Sequence, residues 1–333
     1  MKIYLAGDSI VQNYEKEEFI AGWGQFLPFF IKDGVEVVND AKGGRSSRLF
    51  INEGRFDNIE KNISAGDYLL IEFCHNDDAS KEYKTMFNRL TPLGEPDSDG
   101  RFPIIPGEAM PKDYIPPEYI DALRKDENVK DKQAVLDSVY KILESYPHDT
   151  YYPYSADGSK GTYLWFLKQF VDMAREKGAV PVFVTAPART VYDANGNIKD
   201  GAGLHGGNNF AYIRAMKQLG EEAKVPVIDL FAYSCGLYKQ IGKEKIHWIT
   251  SIKKGCNKGI WPDDFNSEMQ KKETVSEDTH FNKYGAMLIT QGLVKLIKES
   301  DSSQLGGLGG MLKNPDGIDI EKYVKKPLVF EEF

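Results

Sequence analysis

Five short runs of almost unbroken apolar residues recur along the chain: KIYLA (2–6), VEVVN (35–39), YLLIEF (68–73), VPVFVT (180–185) and VPVIDL (225–230). They do not alternate with polar residues and are rich in β-branched side chains, which predicts strands covered on both faces, as in a parallel sheet. Between them apolar positions repeat with the period of a helix. Trp23, Phe26, Leu27 and Phe30 form one stripe, Leu164, Leu167, Val171 and Ala174 a second, and Ile289, Leu293, Leu296 and Ile297 a third. Strands alternating with amphipathic helices predict an α/β fold of three layers around a central five-stranded parallel sheet.

The rhythm fails over residues 78–160. No strand pattern appears there, the segments PLGEPDSDGRFPIIPG, PKDYIPPEY and YYPYSADGSKG are turn-rich, and one helix is expected near Gln133–Tyr146. This stretch is too long for an ordinary connection and reads as a surface insertion. The expected organisation is one domain over 1–300 carrying that insertion, then an irregular tail over 301–333. Within the tail, QLGGLGGMLKNPDG is flexible by composition and YVKKPLVFEEF is expected to pack back as a strand or extended arm.

Composition narrows the function. A chain of 333 residues, 41% of them hydrophobic, can bury a sizeable core. Its net charge of −8, without basic runs, speaks against nucleic acid and anionic membranes as partners. No apolar stretch approaches the roughly 20 residues that span a bilayer. Cys74, Cys235 and Cys256 are widely spaced and form no CxxC pair, which suits a reducing cytoplasm better than a disulfide framework. The first strand begins at once, leaving no room for a signal peptide. A cytoplasmic address is therefore expected, or secretion if a leader has been removed. His148, His205 and His247 do not cluster, so neither a metal nor another cofactor is expected. GAGLHG (201–206) has the spacing of a dinucleotide fingerprint but follows a loop rather than a strand, so that reading fails on context.

Active groups of a parallel α/β sheet collect beyond the carboxyl ends of its strands. Gly7-Asp8-Ser9 follows the first strand, NDAKGGRSSR (39–48) the second and FCHNDD (73–78) the third, while SEDTHFNKYGA (276–286) precedes the last helix. Together these blocks supply the parts for acyl transfer: a serine, a histidine to take its proton, carboxylates to orient that histidine, and donors for an oxyanion. Ser9 is the candidate nucleophile and His280 the candidate base. The Ser9 N–H, the Gly44 N–H and the Asn76 amide are the candidate oxyanion donors. Ser9 alone would read as a helix cap; the three other blocks reverse that reading.

The four blocks, with AGWGQFLPFF and AREKGAVPVFVTAPAR, resemble the SGNH hydrolase superfamily, and within it the rhamnogalacturonan acetylesterase-like enzymes of carbohydrate esterase family 12. The likeness covers most of the chain outside the insertion and the tail. It implies a flavodoxin-like α/β/α fold and metal-free removal of acetyl groups from plant cell-wall sugars, with Ser9, Gly44, Asn76 and His280 in the roles above. Two positions depart from the family pattern. Glu277 stands where an Asp usually precedes the histidine by three, with Asp278 as the alternative acid. Cys74 stands where the family usually has Gly, and a small buried thiol is the expected reading.

Arg45 and Arg48 are candidates to bind a uronate carboxylate, against the plainer reading of salt bridges that hold their loop. His75 is a candidate sugar contact or a buttress behind Asn76. Aromatic residues of the insertion, such as Tyr114, Tyr152 and Tyr154, suit sugar stacking or a scaffold equally. The expected partner is an acetylated oligosaccharide, and self-assembly stays open. Acetylxylan esterase, another SGNH esterase or lipase, and a non-catalytic carbohydrate-binding protein on the same scaffold are the alternatives.

Overall fold

The structure, a computed structural model, describes residues 1–15, 20–78, 89–201, 208, 210–252, 276–300, 303 and 305–324. The chain opens with β1 (Lys2–Gly7), the two-residue β2 (Ile20–Ala21), β3 (Glu36–Asn39), α1 (Ser47–Asn52), α2 (Arg55–Asn62) and β4 (Tyr68–Glu72). Next come β5 (Met110–Pro111), α3 (Pro117–Lys125), α4 (Lys132–Ser145) and β6 (Thr150–Tyr151). They are followed by α5 (Tyr163–Glu176), β7 (Val180–Val184), α6 (Phe210–Ala223), β8 (Val227–Ile228) and α7 (Leu230–Ile241). β9 (Thr250–Ile252), β10 (Ser276–Asn282) and α8 (Lys283–Glu299) complete the regular elements among the described residues.

The five apolar runs form one parallel sheet in the order β3-β1-β4-β7-β8. Counted along the chain that order is 2-1-3-4-5, the flavodoxin-like arrangement with its switch point between β1 and β4. β1 pairs with β3 on one side (Ile3 opposite Val37) and with β4 on the other (Leu5 opposite Leu70, Gly7 opposite Glu72). Side chains leave a strand on alternate faces, and the two faces bury separate cores. Ile3, Leu5, Leu70, Val182 and Ile228 pack under α7, α8 and the segment around Trp23. Tyr4, Ala6, Leu69, Ile71 and Phe183 pack under α1, α2, α5 and α6.

Three expectations change. The stripe Trp23–Phe30 is buried as expected but makes two 3-10 turns, Trp23–Gln25 and Leu27–Phe30, rather than an amphipathic helix. Pro28 has no N–H with which to bond back to Gly24, so an α-helix cannot pass through it. The fifth strand shrinks to Val227–Ile228, because Pro226 lacks a donor and Asp229 already caps α7, accepting from the Ala232 N–H at 3.2 Å. The glycine-rich tail is not loose over 305–324. Leu305, Leu308 and Leu312 are buried in the core, and the Lys313 N–H donates to the Phe30 carbonyl at 2.7 Å. The end of YVKKPLVFEEF, from Lys325 on, lies outside the described residues.

Residues 110–151 hold a second helix that was not expected, α3, and the short β5–β6 pair. Tyr119, Leu123, Val139, Leu143, Tyr146 and Tyr151 make a small core of their own, joined to the main body through Leu49 of α1. α1 is further clamped by Asn52, whose amide donates to the Tyr152 carbonyl at 2.9 Å and accepts from the Tyr152 N–H at 2.8 Å.

Candidate active site

β1 ends at Gly7, where a Cβ would stand 2.9 Å from the Glu72 carbonyl oxygen and 2.6 Å from Val11. The chain then turns sharply about Asp8. The Asp8 carbonyl accepts from the Val11 and Gln12 N–H groups at 3.2 and 3.1 Å, and its Oδ1 from the Ile10 N–H at 2.9 Å. This turn leaves Ser9 at the rim, 8% exposed, with its carbonyl held by the Tyr14 hydroxyl at 3.0 Å.

His280 arrives from elsewhere. It lies on β10, the centre of a three-stranded antiparallel sheet β2-β10-β9 outside the main one. Three anchors fix it: the pairing of Phe281 with Ala21, the Asp278 carbonyl accepting from the Thr190 N–H at 2.8 Å, and Asn282 capping α8 through the Gly285 N–H at 2.9 Å. The result is 2.7 Å between His280 Nε2 and Ser9 Oγ, a hydrogen bond spanning most of the chain.

The loop after β3 runs alongside. Gly43 packs so closely that a Cβ would sit 3.3 Å from the Ser9 Cβ, and its N–H donates to Gln12 Oε1. Gly44 follows at φ +81°, a conformation that favours glycine. Among the described residues the N–H groups of Ser9 and Gly44 make no hydrogen bond. Asn76 sits in the turn after β4, and one hydrogen of its amide goes to Asp8 Oδ2 at 2.9 Å. That bond fixes the amide plane and leaves the second hydrogen for another acceptor.

No protein-family model matches the chain. It is 30% identical over 300 residues to rhamnogalacturonan acetylesterase RhgT of Bacillus subtilis, covering 90% of each protein. The probable rhamnogalacturonan acetylesterase YesY of the same organism is also 30% identical, over 89% of this chain and 92% of that one. The chain belongs to the rhamnogalacturonan acetylesterase family. The crystal structure of Bacillus subtilis YxiM matches with a TM-score of 0.51 at 20% identity, over 92% of this chain and 57% of that one, and shares the fold.

In this family member the site rests on buried carboxylates. Asp8, Glu72 and Asp77 lie beneath Ser9 and Asn76 at essentially zero exposure. Burial lifts Asp8 to about 6 and Asp77 to about 7. It lifts Glu72 still more strongly, helped by the negative charge of Asp8 and Asp77. Asp77 takes the Ser47 N–H at 2.9 Å and the Ser47 hydroxyl at 2.5 Å on Oδ1, so it ties the turn after β4 to the start of α1.

The remaining expected residues fall in varied places. Arg45 is engaged by Glu53, which accepts from its Nε and a terminal nitrogen at 2.9 and 2.8 Å, while the other terminal nitrogen reaches the Gly43 carbonyl at 2.7 Å. Arg48 is buried and holds the carbonyls of Leu90 at 3.0 Å and Tyr152 at 2.8 Å. Both guanidiniums thus brace protein, the plainer of the two readings. His75 is buried and its Nε2–H donates to the Pro187 carbonyl at 3.0 Å; burial and the nearby Arg189 push its pKa well below the usual histidine range. It stands as a neutral buttress behind Asn76. Cys74 is a buried thiol that burial pushes well up, and it packs with Phe73 and Tyr163. The side chain of Glu277 lies outside the described residues, as does most of the GAGLHG segment. Asp278 is described, and its Oδ1 accepts from the Thr279 hydroxyl at 2.9 Å.

Sequence reasoning missed Arg89, which lies over Gly44. It sits in an aperiodic stretch, and no local pattern singles it out. Among the described residues no group of three or more His, Cys, Asp or Glu is placed to hold a metal ion. None of their helices is long and apolar enough to cross a membrane.

Proposed function

We propose that the chain is a serine esterase that removes O-acetyl groups from pectic oligosaccharides of the rhamnogalacturonan type. The observation that carries this reading is the 2.7 Å contact between Ser9 Oγ and His280 Nε2; the N–H groups of Ser9 and Gly44, which make no hydrogen bond among the described residues, and the Asn76 amide are the donors we assign to the oxyanion. Kinship with a rhamnogalacturonan acetylesterase and a probable one supports the substrate class.

The geometry supports the following steps. His280 takes the Ser9 hydroxyl proton as Oγ attacks the acetyl carbonyl. The Ser9 and Gly44 N–H groups and the free Asn76 amide hydrogen receive the oxyanion, each already fixed before reaction. His280 then returns the proton to the departing sugar oxygen. Water, deprotonated by the same imidazole, attacks the acetyl-enzyme; the bond to Ser9 Oγ breaks, His280 returns the proton to that oxygen, and acetate is freed. Glu277, three residues before His280, is the acid we assign to orient the imidazole, since the described carboxylate of Asp278 is turned to Thr279. A cytoplasmic address, argued from the sparse cysteines, suits short oligosaccharides better than polymer.

The test is acetate release from acetylated rhamnogalacturonan oligosaccharides and acetylated xylan in parallel, with Ser9→Ala as control. Release from the pectic substrate, reduced by about 10⁴-fold or more in Ser9→Ala with an unchanged circular dichroism spectrum, is expected. Release from xylan alone would keep the chemistry and overturn the substrate. Substantial residual activity in Ser9→Ala would overturn the mechanism.

A further inference from the structure

Three arginines surround the loop that carries Gly44, and two are fully committed. Arg45 is forked onto Glu53, and Arg48 is locked onto main-chain carbonyls. The third, Arg89, is half-buried and makes no hydrogen bond or ion pair among the described residues. Its placement is nevertheless defined. Arg48 grips the carbonyl of the next residue, Leu90, which is itself buried. A terminal nitrogen, the Cζ and the Nε of Arg89 stand 3.4, 3.6 and 3.8 Å from where a Cβ on Gly44 would be. With these three atoms at nearly equal distance, the guanidinium lies over the glycine, beside the Gly44 N–H assigned to the oxyanion.

Such a guanidinium is poorly placed for its own sake. Burial, and the positive charge of Arg45, both push its pKa down, while Asp8 opposes them weakly. Arginine stays protonated regardless and presents its N–H groups in a planar fork. A half-desolvated fork with no acceptor among the described residues is a site for an acceptor brought from outside. The partner that matches it, two coplanar oxygens and one negative charge, is a carboxylate. Gly44 has no side chain to keep a ligand off the guanidinium.

We propose that Arg89 is the specificity-determining residue of the site, and that it binds the carboxylate of a uronic acid in the acetylated oligosaccharide. The inference rests on the function proposed above and adds the residue that would select an acidic substrate. Placed over Gly44, the arginine sets the uronate at a fixed offset from the acetyl group under attack. It would let the site read an anion with Arg45 and Arg48 both engaged by the protein.

The experiment compares wild type, Arg89→Gln and Arg89→Lys on acetylated rhamnogalacturonan oligosaccharide and on a neutral aryl acetate. Inhibition of aryl acetate hydrolysis by unacetylated digalacturonate is measured alongside, with xylobiose as the neutral control. The expected result is a fall of about 10–100-fold in the ratio of kcat/KM for the acidic over the neutral substrate in Arg89→Gln, carried mainly by KM. Digalacturonate should inhibit wild type, less so at high salt, and lose its effect in Arg89→Gln. Arg89→Lys should recover only part of the ratio, since an ammonium lacks the planar fork. An unchanged ratio, or a loss carried by kcat on both substrates, would overturn the proposal. If wild type releases no acetate from the pectic substrate, the substrate reading fails, and the inhibition arm still decides: digalacturonate inhibition relieved by Arg89→Gln upholds a carboxylate site, and its absence overturns one.

Discussion

Asp77 shows what the site demands of a single side chain. It is fully buried, yet it must accept from both the N–H and the hydroxyl of Ser47 to hold α1 against the turn that carries Asn76. Burial raises its pKa to about 7, above the ordinary carboxylate value of about 4. Between those values the folded chain keeps a proton that the unfolded chain has released. The contribution of Asp77 to stability is therefore greatest below about pH 4, is lost as pH rises towards 7, and changes no further above that. Asp77→Asn keeps an acceptor for Ser47 and removes the titration. We expect the Tm of the variant minus that of wild type to grow from pH 4 to 7 and then level off. Asp8, lifted to about 6 in the same direction, is present in both proteins and largely cancels in the difference. A difference that stays flat across the range would show that Asp77 is not protonated in the fold. None of this is legible in FCHNDD, where four polar residues in succession look alike. Burial separates them: His75 goes to Pro187, Asn76 to Asp8 and Asp77 to Ser47. Arg45 is equally opaque, because its partner Glu53 stands at the far end of α1 rather than three or four residues away.

At the level of elements, legibility followed hydrophobicity. The parallel strands announce themselves because both faces are buried and every position must be apolar. β10 does not, since SEDTHFN is polar and becomes a strand through its pairing with β2 and β9. α3 hides behind Pro116 and Pro117, which read as a turn but serve as its N-cap and first residue. The tail hides its packing for the opposite reason: its glycines obscure Leu305, Leu308 and Leu312, an apolar stripe at spacings of three and four. The same strand, β10, carries both candidate acids. Glu277 and Asp278 are adjacent on it, and side chains of adjacent strand residues leave on opposite faces, so only one of them can share the side of His280 in a regular register. The strand is irregular between Ser276 and Phe281, which loosens that rule. Asp278 is tied at both ends, its carbonyl by Thr190 and its carboxylate by Thr279. We therefore expect Glu277→Gln to lower kcat by about 10²–10⁴-fold and Asp278→Asn by less than about tenfold. Steady-state kinetics on an aryl acetate decides, and the reverse ranking would transfer the role to Asp278.

Across the whole molecule, the two faces of the sheet and the satellite at 110–151 form three separate apolar cores. Separate cores open separately when little apolar surface joins them. The satellite meets the main body at α1, through Leu49 and the polar clamps of Arg48 and Asn52 on the segment of Tyr152. The Gly44 loop is held from other directions, by Gln12 on Gly43 and by Asp77 on Ser47. Leu143 is fully buried at the centre of the satellite, and Leu143→Ala leaves a cavity costing about 2–5 kcal/mol. That loss should fall on the satellite. Hydrogen exchange at amides of 117–145 should quicken, while amides of β1, β4 and β7 keep their protection and aryl acetate turnover stays near wild type. Turnover of a long acetylated oligosaccharide is the more sensitive readout of the same change, because Arg48 connects the satellite to Leu90 and so to the position of Arg89. Exchange that quickens in the sheet and the satellite together would instead mean that α1 couples them into one folding unit, and that the insertion is a structural part of the domain that bears Ser9.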